Sequence, residues 1–189
     1  MAQPSEKALE YKRRAQGLSW EALRSLWQQI QDGKTPEWDP GRAFEHLVVR
    51  GFELSGLRVE YAYDVPPEGR IIEQIDGIVF LRDTPFLIEC KDRDSVDFVA
   101  VAKMRNQLLR RPPVTMGCVF ITGDFTEPAR ILAGFAIPHQ ITLWAGDDVR
   151  AALDAEDFKT ALEKKYNDFC MYGLIGFWTL PESAEVNDD

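Results

Sequence analysis

Three charged residues, Asp76, Glu89 and Lys91, lie in sequence that is otherwise apolar and typical of β-strands. Burying such charges costs free energy unless they pair with one another or bind a metal. Two carboxylates suit a hard divalent cation such as Mg²⁺, with Mn²⁺ as a substitute, and the carbonyl of Cys90 is a further candidate ligand. A metal bound there would acidify a water molecule and stabilise charge on a phosphoryl oxygen, while Lys91 oriented that water or offset negative charge.

Two predicted strands must bring these side chains together, and the turn sequence Arg82–Pro85 separates them. Side chains alternate along a strand, so Glu89 and Lys91 share one face. A turn centred on the middle of Arg82–Pro85 would place Asp76 opposite Lys91, and directly paired residues point to the same side of a sheet. A slip of one residue would move Asp76 to the other face, so the convergence depends on the register. The predicted strands span residues 71–81 and 86–91.

A simpler alternative is that Glu89 and Lys91 form an ordinary ion pair on a half-exposed strand. The spacing Glu-x-Lys is frequent by chance and does not exclude this alternative. The apolar strand context and the upstream Asp76 favour a functional site.

Beyond these residues, the chain resembles a known family. The pattern Asp76…Glu89-Cys90-Lys91 is similar to the active-site signature of the PD-(D/E)xK nuclease superfamily, and its surroundings resemble the Mrr-like restriction endonuclease branch. The resemblance covers residues 39–155, although Ile75 replaces a frequent Pro and Glu89 stands where this branch often has Gln. The similar segments follow in the family's order: an opening helix at 41–48, a strand, Thr-Gly turn and helix at 119–129, and a last core strand with its turn at 141–149.

This resemblance implies an α/β protein with a restriction-endonuclease-like mixed central sheet flanked by helices. It also implies a metal-dependent endonuclease that hydrolyses DNA phosphodiester bonds. Asp76 and Glu89 would bind Mg²⁺, Lys91 would position the attacking hydroxide, and Glu45 on the opening helix would assist the metal. Gln107 is a further catalytic candidate, since superfamily members commonly carry a Gln on the helix after the signature. Pattern alone leaves Glu45 equally a solvated helix acid and Gln107 a surface amide.

Turn and capping signals divide the chain into elements. Ser19 predicts the start of a helix over 20–31, and Asp39 with Pro40 predicts the start of the next one. Further predicted elements are a strand at 57–64, a helix at 95–111 ended by Pro112, a strand at 116–122, a helix at 127–135, a strand at 141–145, one or two helices within 147–170, and a strand or packing arm at 173–180. The domains expected are an N-terminal helical extension at 1–38, a nuclease-like core at 39–155, a C-terminal helix and packing arm at 156–181 and an acidic disordered tail at 182–189.

Composition and charge narrow the function classes. With 189 residues, 45% of them hydrophobic, the chain fits one domain with terminal elaborations, and no apolar run is long enough to cross a bilayer. Three scattered cysteines and the lack of an apolar secretory signal favour a reducing cytoplasm, with no membrane partner. The net charge of −9 counts against DNA as a partner. However, residues 82–111 are locally basic, so the helix at 95–111, with Lys103, Gln107 and Arg110 roughly on one side, is the expected phosphate-contacting surface.

Two rival functions stay open. One is a catalytically inactive module of the nuclease fold that binds DNA or protein; the other is a purely structural protein with a chance Glu-x-Lys. A nuclease that cuts both strands would also need a homodimer or a partner subunit, because one site cuts one strand.

Overall fold

The computed structural model describes residues 5–65, 73–135 and 140–173, which form helices on both sides of a central sheet. The helices are α1 (Glu6–Gln16), α2 (Trp20–Gln31), α3 (Arg42–Leu54), α4 (Phe98–Leu108), α5 (Glu127–Gly134), α6 (Gly146–Asp154) and α7 (Phe158–Tyr172). The strands are β1 (Arg58–Val65), β2 (Glu73–Leu81), β3 (Thr84–Lys91), β4 (Ser95–Val96), β5 (Met116–Ile121), β6 (Asp124–Phe125) and β7 (Ile141–Trp144). No helix in these ranges combines the length and hydropathy needed to cross a bilayer.

The central sheet is mixed, with strand order β1-β2-β3-β5-β7. The first three strands pair antiparallel, whereas β3–β5 and β5–β7 pair parallel. Parallel neighbours need a crossover connection, which α4 supplies between β3 and β5 and α5 supplies between β5 and β7. A short parallel pair, β4 and β6, lies outside the central sheet. The predicted α/β fold with a restriction-endonuclease-like mixed sheet is confirmed.

Each face of the sheet has its own hydrophobic core. On one face, α3 buries Phe44, Leu47, Val48 and Phe52, whose helical spacing forms one apolar stripe, and α2, α6 and α7 pack around it. On the other face, α4 and α5 cover a second core. Glu45 therefore approaches the sheet from one side, while the side chains of α4 approach from the other.

Two glycines allow these helices to lie close to the sheet. A Cβ at Gly77 of β2 would come within 2.6 Å of the Val49 side chain on α3. A Cβ at Gly117 of β5 would come within 2.6 Å of the Met104 side chain on α4. The missing side chains let both helices approach the strands that carry the candidate site.

The β2–β3 hairpin differs from its predicted register by two residues. Leu81 pairs with Thr84 and Gly77 with Ile88, so the turn consists of Arg82 and Asp83 alone, with Arg82 in the left-handed region at φ 55°. The predicted pairing of Asp76 with Lys91 is therefore wrong. The same register continued by one pair brings Asp76 opposite Glu89. A shift of two residues preserves the face of each side chain, so Asp76 still meets the Glu-x-Lys segment.

The start of α3 is a second correction. The helix begins at Arg42, not at Asp39 and Pro40, because Gly41 adopts a left-handed φ of 81° immediately before it. The backbone N–H of Arg42 donates to the carbonyl of Asp39, closing a turn ahead of the helix. The prediction for α2 is confirmed, with the Ser19 hydroxyl accepting from the N–H of Ala22. Residues 174–180 and the tail at 182–189 lie outside the described residues.

Candidate active site

Asp76 and Glu89 lie beside each other on neighbouring strands, at the end of β3. Glu89 is fully buried and Asp76 is 8% exposed. The Oδ2 atom of Asp76 accepts a hydrogen bond of 2.8 Å from the backbone N–H of Cys90. This bond fixes the Asp76 carboxylate against the Glu89-Cys90-Lys91 segment, so the structure brings the three predicted charges together.

Two lysines hold the buried carboxylate of Glu89. The ammonium of Lys91 donates to Glu89 Oε1 and, at 3.3 Å, to the carbonyl of Cys90. The ammonium of Lys103, from α4, donates to both oxygens of Glu89 at 2.7 and 2.6 Å. Burial on its own would lower the pKa of Lys91, but the ion pair with Glu89 and the charge of Asp76 outweigh it and raise that pKa. Lys91 is therefore an ammonium at neutral pH.

Glu45 joins this group from the first turn of α3. Its carboxylate forms a 2.5 Å ion pair with Arg42 and its side chain is 13% exposed. Burial and the nearby charge of Asp76 raise the pKa of Glu45 to about 7. Burial and the charge of Glu89 likewise raise the pKa of Asp76 to about 6. The alternative of a solvated helix acid at Glu45 is wrong, because this side chain is largely buried next to Asp76.

Cys90 contributes its backbone to the site and its side chain to the core. The thiol is buried against the α3 side of the sheet, and burial raises its pKa well above the usual value. A thiol of this kind is not a nucleophile at neutral pH. The carbonyl of Cys90 remains the predicted ligand atom.

Gln107 is 2% exposed, so the alternative of a surface amide is wrong. Its side-chain amide donates to the carbonyl of Gln74 at 3.3 Å, two residues before Asp76 on β2. This contact ties α4 to the strand that carries Asp76. The catalytic role of Gln107 stays a prediction.

Lys103 lies at the site, although the sequence predicted a different role for it. The helical spacing placed Lys103 and Arg110 on a phosphate-contacting face, yet Lys103 is bound to Glu89 and Arg110 forms a 3.0 Å ion pair with Glu73. One signal of the observed role was present in the sequence: Val101, Met104 and Leu108 form the apolar stripe of α4. Lys103 borders that stripe, so its long side chain can reach the sheet.

The residues assembled here match a hard metal ion in chemistry. Glu45, Asp76, Glu89 and the Cys90 carbonyl all present oxygen, the ligand atom that Mg²⁺ and Mn²⁺ favour. Within residues 5–65, 73–135 and 140–173, no three His, Cys, Asp or Glu side chains form a ready metal-binding group. The carboxylates instead hold Arg42, Lys91 and Lys103. A metal ion would therefore have to take over oxygens that these cations now contact.

Two clefts open on either side of the start of α3. One, of about 330 Å³, is lined by Arg42 and Asp76 together with residues of α1 and β1. The other, of about 910 Å³, is lined by Glu45 and Lys91 together with the segment that joins α2 to α3. The candidate site is thus reachable from outside even though Glu89 is buried.

Comparison with known proteins agrees with this arrangement. The family model of the restriction endonuclease catalytic domain Mrr_cat matches residues 37–153. No curated protein is similar enough in sequence to count as a match. The family assignment rests on the match to the family model, which covers well over half of the chain.

Three solved structures are similar in shape. AF1548, a protein of unknown function, is 20% identical with a TM-score of 0.49, and the match covers 60% of this chain and 65% of AF1548. The DNA modification-dependent restriction endonuclease AspBHI is 16% identical with a TM-score of 0.47, and the match covers 90% of this chain and 45% of AspBHI. The MspJI restriction endonuclease, in complex with a 27-mer oligonucleotide, is 20% identical with a TM-score of 0.43, and the match covers 94% of this chain and 40% of MspJI. The chain thus spans between two fifths and two thirds of these proteins.

The match of the family model to residues 37–153 and the convergence of Asp76, Glu89 and Lys91 on one site lead to the same assignment. The chain belongs to the Mrr-type restriction endonuclease family, a branch of the PD-(D/E)xK nucleases.

Proposed function

We propose that this protein is a metal-dependent endonuclease that hydrolyses DNA phosphodiester bonds. One observation carries the proposal: the fully buried Glu89 adjoins Asp76 and Lys91 at the edge of an open cleft. A buried group of carboxylates with raised pKa values is costly for folding and is typical of functional sites. Its position matches the signature of the family to which the chain belongs.

In this proposal, Asp76, Glu89 and the Cys90 carbonyl hold the metal ion, and Glu45 supports it directly or through water. When bound, a divalent cation supplies charge stabilisation at the phosphoryl oxygens and acidifies a water molecule. The Asp76 carboxylate is already fixed by the N–H of Cys90, so it needs no reorganisation to act as a ligand. Fixed groups of this kind supply most of the rate in phosphoryl transfer.

Lys91 acts as the positive charge beside the reacting phosphate. Its raised pKa keeps the proton on the ammonium. Its side chain is 33% exposed, so the ammonium can adjust its position to a bound phosphate. This ammonium then offsets the negative charge that develops at the phosphate. A cut through both strands requires two copies of the site, which we propose a homodimer or a partner subunit supplies.

The rival function, an inactive binding module of the same fold, has its own supporting observation. Both oxygens of Glu89 are held by lysines, and no ready metal-binding group is present among the described residues. If Lys103 never leaves Glu89, the site cannot take a metal. In that case the protein would retain the nuclease fold and bind a partner without cleaving it.

Incubation of the full chain with plasmid DNA separates the two functions. We expect nicked or linear product with Mg²⁺ or Mn²⁺ and none with a chelator. Asp76→Asn should abolish the product while the circular dichroism spectrum and melting temperature show a folded protein. DNA that stays intact at every metal concentration, with the wild-type protein folded, would favour the inactive module. Cleavage that survives Asp76→Asn would contradict the proposed site.

A further inference from the structure

The larger cleft beside the candidate site has two walls of different origin. One wall is the segment joining α2 to α3, and the other is the stretch that follows β3. Glu45 and Lys91 of the candidate site lie between these walls. The lining residues are Ile30, Gly33, Lys34, Thr35, Pro36, Trp38, Pro40, Gly41, Glu45, Cys90, Lys91, Asp92 and Arg93.

This cleft differs from its neighbour in charge. It is lined by three cations and two carboxylates. The smaller cleft, on the Asp76 side, is lined by three cations and four carboxylates. In a protein with a formal net charge of −9, the larger cleft is a local exception in which cations outnumber acids. The lining of the larger cleft therefore favours a polyanion over the lining of the smaller one.

Two of the cleft's cations, Lys34 and Arg93, are exposed, and neither forms an ion pair within the part of the chain that the structure describes. By contrast, the cations of the candidate site are engaged: Lys91 and Lys103 contact Glu89, and Arg42 contacts Glu45. Lys34 and Arg93 face the same cleft from different walls, and both are available to bind an external anion.

The wall that carries Lys34 comes from outside the family match. Residues 30–36 of the cleft precede the matched range of 37–153. Leu23, Leu26, Trp27 and Ile30 are buried and anchor α2 to the core on α3. The N-terminal helices are thus firmly attached to the nuclease domain, and the loop after them is held over the site. They give this chain a cleft wall built from residues that precede the matched range.

We propose that this cleft binds the DNA strand to be cut, with Lys34 and Arg93 contacting backbone phosphates next to the one at Lys91. The proposal rests on the proposed function, since it takes DNA as the substrate. The contacts are to phosphate, so they set the register of the strand and not its sequence. The N-terminal extension is then part of the substrate-binding surface.

The test measures DNA binding separately from cleavage. A fluorescently labelled duplex is titrated with full chain carrying Asp76→Asn, and anisotropy gives the affinity at several salt concentrations. Adding Lys34→Ala and Arg93→Ala should weaken binding at every salt concentration. For each of the two cations removed, the slope of log K against log salt should become shallower by about 1. The hydrogen bonds that Lys34 and Arg93 form within the described residues use backbone atoms, so both substitutions leave these bonds in place.

Lys164→Ala is the matched control. Lys164 is an exposed lysine on α7 that lines neither cleft, so its replacement should leave the slope unchanged. A slope in the Lys34→Ala and Arg93→Ala protein equal to that of the control would overturn the cleft assignment, and so would the absence of measurable binding at low salt. Plasmid cleavage by the wild-type protein with an unchanged slope would overturn this inference alone. A changed slope without any cleavage would overturn the proposed nuclease and leave the cleft assignment standing.

Discussion

Two buried glutamates on neighbouring strands show how the same kind of ion pair can have different roles. Glu73 on β2 contacts Arg111, through both of its oxygens at 3.2 Å, and also Arg110. Glu89 on β3 contacts Lys91 and Lys103. Both carboxylates are almost inaccessible, and in both cases α4 or the residues just after it supply cations.

The two clusters differ in the residues that surround the buried glutamate and in the kind of cation that contacts it. The Glu73 cluster (Glu73, Arg110 and Arg111) places two guanidiniums around one carboxylate, and guanidinium forks match a carboxylate in a fixed geometry. The Glu89 cluster (Glu45, Asp76, Glu89, Lys91 and Lys103) crowds three carboxylates together and uses flexible ammonium groups. Two of its carboxylates keep raised pKa values in spite of those ammoniums. We infer that the Glu73 cluster stabilises the fold and that the Glu89 cluster is arranged to bind a metal cation reversibly.

The largest expected effect is on catalysis. Lys91→Met should lower the rate of metal-dependent DNA cleavage by at least about 10²-fold, because it removes the positive charge proposed to lie at the reacting phosphate. Arg110→Met removes a cation from the other cluster and should change the rate by no more than a few fold. The measurement is initial rates on a labelled duplex at equal concentrations of folded protein. Equal reductions in the two variants would remove the distinction between the clusters.

The second effect is on stability. Arg111→Met should lower the free energy of unfolding by about 1.5–3 kcal/mol, because Glu73 stays buried with one partially exposed partner and the Gln107 carbonyl loses a donor. Urea denaturation in the presence of a chelator measures this change. A decrease within about 0.5 kcal/mol, which is typical of surface substitutions, would contradict a structural role for the Glu73 cluster.

The third effect is a pH dependence confined to the Glu89 cluster. The folded-state pKa of Glu45, about 7, lies above its ordinary value of 4.5. The folded state therefore binds more protons than the unfolded state between these values, and metal-free stability falls as pH rises from about 4.5 to 7. Glu45→Gln removes this cost, so it should stabilise the protein by about 1–3 kcal/mol at pH 8 and by nothing below pH 4. Denaturation curves at both pH values in chelator provide the test. A variant less stable than wild type at pH 8 would show that the carboxylate contributes to the fold.

The smallest effect is on metal affinity. Lys103 contacts both Glu89 oxygens but is 44% exposed, so it can withdraw into solvent when a metal binds. Lys103→Met removes this competing charge and should increase the apparent affinity for Mg²⁺ or Mn²⁺ several-fold. The rise in melting temperature across a metal titration reports it, since a ligand of the folded state stabilises that state. Arg110→Met serves as the control and should leave the titration curve in place. A weaker response in Lys103→Met would show that Lys103 supports the metal and does not compete with it.

Local signals in the sequence were sufficient for much of the fold. Ser19 caps α2, and the alternation of Glu89 and Lys91 correctly placed both on one face. The hairpin register was wrong because four turn-forming residues, Arg82 to Pro85, compete for a turn of two, and the strand pairing decides between them. The start of α3 was wrong for a similar reason. Asp39 and Pro40 are typical of a helix start. However, the left-handed φ of Gly41 changes the direction of the backbone after them, so the helix begins only at Arg42.

The site was predictable to the extent that it is local. Asp76, Glu89 and Lys91 belong to one hairpin, so strand periodicity together with a family resemblance sufficed to group them. The role of Lys103 was missed because its contact with Glu89 depends on how α4 crosses the sheet, which Gly117 and Met104 determine through their packing. Lys34 was missed because the cleft that it lines exists only once α2 is docked on α3. Non-local packing of this kind leaves no short-range sequence pattern.

Two isosteric substitutions, Asp76→Asn in the Glu89 cluster and Glu73→Gln in the Glu73 cluster, test the contrast between the clusters most directly. Each removes one buried carboxylate charge from the same sheet and keeps the shape of the side chain. Cleavage of a labelled duplex with Mn²⁺ is measured for both at equal concentrations of folded protein. We expect Asp76→Asn to abolish cleavage, while Glu73→Gln, although less stable, cleaves at nearly the wild-type rate. Cleavage retained by folded Asp76→Asn would contradict the assignment of the active site.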